Sequence, residues 1–238
     1  MRKILITNDD GIQADGLVRL AKAARSFGEV WVVAPDRQKS AAAHSITLHS
    51  PLDVYPCMFP AEGVRAFSCS GTPGDCVRIG SRAILPSKPD LVLSGINYGY
   101  NVGSDIQYSA TAGAAFEAAF QGICGIALSE DATACHEVTD AFLNIVLEEL
   151  AEKKLDASHI WNVNFPGCTA PECRGILYDR TVSRKEMYDD SYQPVGELPE
   201  GGIRYMVKGE YRQEAEPGTD FQAVLDHYIS IGVVSNIV

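Results

Sequence analysis

No apolar run in the 238 residues approaches the roughly 18 needed to cross a bilayer, which excludes a membrane-spanning helix. At the start, Met1-Arg2-Lys3 is followed only by Ile4-Leu5-Ile6-Thr7 before Asn8, too short for the apolar core of a secretion signal. A soluble, cytoplasmic protein with no membrane partner is expected. Positive charge is scarce: 20 Lys and Arg stand against 31 Asp and Glu, a net charge of −11. That balance excludes bulk electrostatic binding to DNA or RNA, and a small anionic substrate must then meet locally placed positive charge. The seven cysteines (57, 69, 76, 124, 135, 168, 173) are odd in number and contain no C-x-x-C pair, so neither a disulfide framework nor a zinc knuckle is signalled. Cys168 and Cys173 come nearest to a pair but lack two further ligands at suitable spacing. The chain also has no Walker A motif, no G-x-G-x-x-G after its first strand, no D-x-D of the haloacid dehalogenase type, no internal repeat and no low-complexity tract.

What is present is an α/β pattern with 46% hydrophobic residues, ample for one large domain or a domain with an appendage. Lys3-Ile4-Leu5-Ile6-Thr7 reads as a buried parallel strand that ends in Asn8-Asp9-Asp10-Gly11. Leu17, Leu20, Ala21 and Ala24 recur at helical spacing, predicting a helix over about residues 15 to 27 with Gly28 as its cap. Val30 to Ala34 is the next strand, followed by the polar loop Pro35-Asp36-Arg37-Gln38-Lys39-Ser40. A βαβ crossover is right-handed, so both loops open on one sheet edge and Ser40 becomes a neighbour of Asp9 and Asp10.

Between about Ser45 and Ser70, β-branched and aromatic residues mix with Pro51, Pro56 and Pro60, which suits short strands at a margin. Ser70 to Ile79 reads as a turn feeding a helix capped by Thr72, with Pro73 at its first position and Asp75 and Arg78 placed to pair. Strands follow at 89 to 94, 123 to 128 and 159 to 165, with helices at 108 to 120 and 139 to 150. The expected fold is a doubly wound, mostly parallel, Rossmann-like sheet over residues 1 to 165. Residues 166 to 218 read as a β-rich extension, strand-like at 175 to 182 and 203 to 211 around a Pro/Gly-rich middle. Such a ribbon cannot bury itself alone, so it is expected to pack against another copy, making a homo-oligomer. Residues 219 to 238 hold a helix (219 to 228) and a last strand (229 to 231) that either return to the core or are exchanged with a neighbouring subunit.

Three loops at carboxyl ends of predicted strands thus supply Asp9 with Asp10, then Ser40, then Asn97 with Asn101, all oxygen donors. Hard oxygen ligands with few acids suit Mg²⁺ or Mn²⁺ and leave coordination open for a phosphoryl oxygen and water. The start of the 108 to 120 helix, around Ser109 and Thr111, points unpaired N–H groups outward and suits phosphate, although either side chain also suits a simple cap.

At this point the motifs resemble those of the SurE (survival protein E) family of 5′/3′-nucleotidases: T-N-D-D-G at Thr7 to Gly11, A-P-D-R at Ala34 to Arg37 with Ser40, G-T-P-x-D-C at Gly71 to Cys76, S-G-I-N-x-G-x-N-x-G from Ser94 to Gly103, and Tyr108-Ser109-x-Thr111. The resemblance covers roughly residues 1 to 130. It implies a phosphomonoesterase acting on nucleoside monophosphates, with one divalent ion, Mg²⁺ or Mn²⁺, held by Asp9, Asp10, Ser40 and Asn97. It further implies oligomers built through the carboxyl-terminal extension, and activity of some members on short polyphosphate. Asp9 and Asp10 are the expected catalytic residues, and Asn8, Asn97, Asn101, Ser109 and Thr111 the expected phosphate-binding set. The chain departs from the family pattern with Ala41 and Ala110, where glycine is usual, and with Ser230-Ile231-Gly232 in place of Ser-x-Thr-Pro-Leu. The alternative class is a non-catalytic nucleotide-binding or regulatory protein. Against it, the first βα turn presents two acids where a pyrophosphate would need bare N–H groups.

Overall fold

The computed structural model describes residues 2–236. The first half of the chain forms β1 (Lys3–Thr7), α1 (Asp15–Ala24), β2 (Glu29–Pro35), β3 (Val54–Cys57), β4 (Arg65–Cys69), α2 (Pro73–Ile79), β5 (Leu91–Tyr98) and α3 (Ala110–Phe120). The second half forms β6 (Cys124–Glu130), α4 (Glu137–Leu150), β7 (His159–Phe165), β8 (Ile176–Leu177), β9 (Tyr188–Glu197), β10 (Ile203–Tyr211), α5 (Asp220–Leu225) and β11 (Ile229–Ser235).

Alternation along β1 sets the layers. Ile4 and Ile6 face Leu17 and Leu20 of α1 and Val146 of α4, whereas Leu5 faces Val77 of α2 and Ala114 and Ala118 of α3. All three β1 side chains are fully buried, and burying each contributes about 1.5–3 kcal/mol relative to exposure. A polar residue at Leu5 would break the α2/α3 side of the core.

Nine strands lie in the order β3-β4-β2-β1-β5-β6-β7-β11-β8. The six from β4 to β7 are parallel, and helices cover both faces, giving the mostly parallel α/β architecture that the sequence pattern implied. β3 adds antiparallel to β4 at one margin, and β11 antiparallel to β7 near the other. The order runs outward in opposite directions from β1, toward β2 on one side and β5 on the other. The crevice between the carboxyl ends of β1 and β5 is therefore the topological switch point, where such sheets bind ligands.

Several local expectations are corrected. α1 stops at Ala24, and Gly28 is no cap; a Cβ there would meet Arg2 O at 2.4 Å, so the glycine serves a close approach. Asp75 does not pair with Arg78. It accepts from Thr47 N and Thr47 Oγ1 at 2.8 and 2.7 Å and closes a capping box with Thr72, while Arg78 reaches Glu117 at 3.1 Å. β9 occupies half of the stretch read as a Pro/Gly-rich middle, and it pairs antiparallel with β10 as a two-stranded ribbon, every residue of which is exposed. Ile176 and Leu177 belong instead to the main sheet, beside β11. Among the described residues no helix is long and apolar enough to cross a membrane.

Candidate active site at the carboxyl ends of β1 and β5

β1 ends in a turn that its own residues close. Asn8 Nδ2 donates to Gly11 O at 3.0 Å, and Gly11 takes φ +102°, a conformation other residues rarely adopt. The turn is locked to the β2 loop by Ile12 N donating to Pro35 O at 2.8 Å and Lys39 N donating to Asp9 O at 2.7 Å. Ser40 therefore follows directly on a residue that touches the Asp9 backbone. Its hydroxyl is exposed and accepts from Gln38 Nε2 at 3.0 Å.

Asp9 is only 4% exposed, and Thr111 Oγ1 donates to its Oδ1 at 2.7 Å. Burial pushes the Asp9 carboxyl up to about 6; the Thr111 hydroxyl works against that shift and the Asp10 charge adds to it. The Asp10 carboxyl is also raised, by burial first, with the Tyr98 N–H opposing and the Glu130 charge contributing. Tyr98 N donates to Asp10 Oδ2 at 3.1 Å, which ties the β1 turn to the end of β5. Among the described residues, neither Asp9 nor Asp10 has a Lys, Arg or His within ion-pair distance. Two adjacent carboxylates withdrawn from water without a protein cation form a donor set that a divalent ion fits.

Asn97 lies on β5 itself, which runs past the expected end at Ser94 as far as Tyr98. Its Nδ2 donates to Gly99 O at 2.7 Å, leaving the amide oxygen as the end free to meet a cation. Ser109 caps α3 by accepting from Ala112 N at 3.0 Å. Thr111, in the first turn of α3, donates to Asp9. The positive end of α3 thus points at the carboxylate pair.

Asn8 and Asn101 are placed differently. Asn8 is fully buried and holds the turn; its Oδ1 is a buried atom without a hydrogen-bond partner. Asn101 Nδ2 donates to Ser129 Oγ at 2.7 Å, its backbone N donates to Asn164 Oδ1 at 2.8 Å, and its carbonyl accepts from Asn162 and Asn164. This polar knot anchors the loop after β5 to the ends of β6 and β7.

A charged group next to Asp10 escaped the sequence reading. Glu130 ends β6, is 3% exposed, and takes both terminal nitrogens of Arg19, at 2.7 and 3.2 Å. Arg19 also reaches Asp140 at 2.7 Å, and His136 Nδ1 lies 3.0 Å from Glu130 Oε1, off the hydrogen-bond direction. The signal was present for Glu130, because Ser129-Glu130 follows an apolar run as the other polar turns do. Nothing local marked Arg19.

Polar turns converging on a topological switch, with an acid pair at the centre, define an α/β protein with an acidic site at the carboxyl edge of its parallel sheet. The family described as Survival protein SurE matches residues 4–188. A protein of Synechococcus sp. called 5′-nucleotidase SurE is 42% identical over 236 residues, covering 96% of this chain and 89% of its own. One of Trichormus variabilis with the same name is 40% identical over 245 residues, covering 96% and 91%. The crystal structure of the SurE protein from Aquifex aeolicus superposes with a TM-score of 0.81 at 35% identity, over 98% of this chain and 93% of that one. The chain belongs to the SurE family.

Proposed function

We propose that this protein is a divalent-metal-dependent phosphomonoesterase that hydrolyses nucleoside 5′-monophosphates to nucleoside and phosphate. The observation that carries the reading is the pair of a buried Asp9 and a half-buried Asp10 at the β1/β5 switch point, without a protein cation within ion-pair distance among the described residues. The name 5′-nucleotidase borne by relatives about 40% identical over nearly the whole chain supports it.

Asp9, Asp10, Ser40 and Asn97 are the proposed ligands of one Mg²⁺ or Mn²⁺. Such an ion, when bound, supplies Lewis-acid polarisation of the phosphoryl group and a more acidic water. The chain's own residues prepare the site. Thr111 holds one Asp9 oxygen in place, the Tyr98 N–H fixes Asp10, and Gly99 orients the Asn97 amide. The first N–H groups of α3 lack intrahelical partners and are the proposed contact for phosphate oxygens. The same site is proposed to accept nucleoside 3′-monophosphates and short polyphosphate, and the β9/β10 ribbon is the proposed contact between subunits.

The test is phosphate release from AMP, GMP, their 3′ isomers and short polyphosphate in Mn²⁺ and in Mg²⁺. Release from AMP or GMP that stops on adding EDTA, and that Asp9→Asn abolishes, is the expected result. Nucleotide binding with no phosphate release in any divalent metal would instead make the protein a binding module.

A further inference from the structure

Beside Asp10 the surface opens into a cavity of about 300 Å³, lined among others by Asp10, Asp15, Ile96, Tyr98, Glu130 and His136. That volume is at the small end of ligand pockets, on the scale of a nucleoside. α1 packs tightly against β5 at the cavity's edge, where a Cβ on Gly16 would meet Ile96 O at 2.2 Å.

Charge decides which half of a nucleotide fits. Asp10 and Asp15 present carboxylates to the space, whereas Glu130, which also lines it, has both oxygens taken by Arg19 and sits against His136. The nearby guanidinium of Arg19 offers no free cation, because it is bound to Glu130 and Asp140 and lies 3.7 Å from Asp15. A phosphate dianion is repelled here. Sugar hydroxyls and base amino groups, which donate hydrogen bonds to carboxylates, are not.

Tyr98 supplies the other half of the recognition. It is 57% exposed, and its backbone N–H holds the proposed catalytic Asp10. Its hydroxyl donates to Ala132 O at 2.9 Å, so the ring is held at both ends. It also stands at the one position between Asn97 and Gly99 that the Ser94-to-Gly103 motif leaves open. A fixed, accessible ring is a stacking face for a base.

We infer that this cavity takes the nucleoside half of the substrate, with the Tyr98 ring as the face on which the base stacks and the carboxylate wall as acceptor for its donor groups. The inference rests on the nucleotidase reading above and assigns the leaving-group side of that site.

The experiment measures binding of adenosine and guanosine, which carry no phosphate, to the full-length metal-free protein by isothermal titration calorimetry. Wild type is compared with Tyr98→Ala and Tyr98→Phe. Loss of the ring should weaken nucleoside binding about tenfold, within the range found for base-aromatic stacking, while Tyr98→Phe stays within about twofold. In Mn²⁺, the ratio of kcat/KM for AMP to that for glycerol phosphate should fall about tenfold in Tyr98→Ala and hold in Tyr98→Phe. No nucleoside binding by wild type, or equal binding and an equal ratio in Tyr98→Ala, overturns the assignment. Failure of the nucleotidase reading looks different: wild type then releases phosphate from no ester at all, whether or not nucleoside binds.

Discussion

Thr111 donates its hydroxyl to Asp9 Oδ1 at 2.7 Å, joining the first turn of α3 to the turn after β1 across 102 positions of sequence. The bond stabilises the charged carboxylate, which burial alone would drive further toward the protonated form. Thr111→Val keeps the shape and removes the donor. A hydrogen bond to a charged group contributes about 1.5–3 kcal/mol, so affinity for Mn²⁺ should fall roughly tenfold or more. Without the bond the Asp9 carboxyl titrates above about 6, and a cation needs it deprotonated. The defect should therefore be larger at pH 6 than at pH 8. Titration calorimetry at the two pH values checks this, and an equal defect at both would count against it.

The raised Asp9 pKa also makes a statement about stability. The folded state holds the Asp9 proton up to about pH 6, whereas the unfolded chain loses it near the ordinary value of 3.8. The folded state binds more protons between those values, so the metal-free protein loses stability as pH rises through that window. Asp9→Asn removes the charge and keeps an oxygen for Thr111 to donate to. At pH 7.5 with EDTA the variant should be more stable by on the order of 3 kcal/mol, an advantage that shrinks toward pH 4. With saturating Mn²⁺ the order should reverse, because only wild type gains binding energy. Urea unfolding under the three conditions decides it, and equal midpoints at pH 7.5 would refute the account.

These two effects were half legible in the chain itself. Ile4, Leu5 and Ile6 announce a buried strand, and the acids after them stand where α/β sheets bind ligands, so Asp9 and Asp10 follow from local pattern and topology. Thr111 was visible as a cap or phosphate contact but not as the partner of Asp9, because nothing local links residues so distant. The Arg19–Glu130 pair, 111 positions apart, was hidden for the same reason. β9 was missed because Pro194, Gly196 and its acids are residues that edge strands tolerate and central strands do not. Asp75 found Thr47 rather than Arg78 because the backbone N–H groups of Thr47 and Thr72 and the Thr47 hydroxyl converge on its carboxylate from either side.

The backbone sign at Ala41 could not be read from an alanine. Ala41 takes φ +57° on the exposed loop after Ser40, in a region where a Cβ costs roughly 1–2 kcal/mol. Ala41→Gly relieves that strain and gives back part of it through the freer unfolded chain. A net gain of about 0.5–1 kcal/mol is expected, a rise in Tm of roughly 1–4 °C for a chain of this length. Ala42→Gly, next door at negative φ, should lower Tm instead. Parallel thermal scans of the two variants check the contrast, and movement in the same direction would rule out strain as the cause.

The β9/β10 ribbon carries its apolar side chains in the open. Tyr192 is 71% exposed, Tyr205 55% and Val207 52%, and Val207 is paired directly across from Tyr192. Tyr205 precedes Val207 by two residues on the same strand, so all three share one face. An isolated two-stranded hairpin is marginal in water, and an apolar face of this kind is stabilised by covering it. A second copy of the chain is the proposed cover. Tyr205→Asp combined with Val207→Asp places two like charges on that face and adds to an already acidic surface. Wild type should sediment as a dimer or larger, and the double variant as a monomer whose main sheet unfolds at an unchanged urea midpoint. A monomeric wild type, or a double variant that still self-associates, would remove the ribbon from the subunit contact.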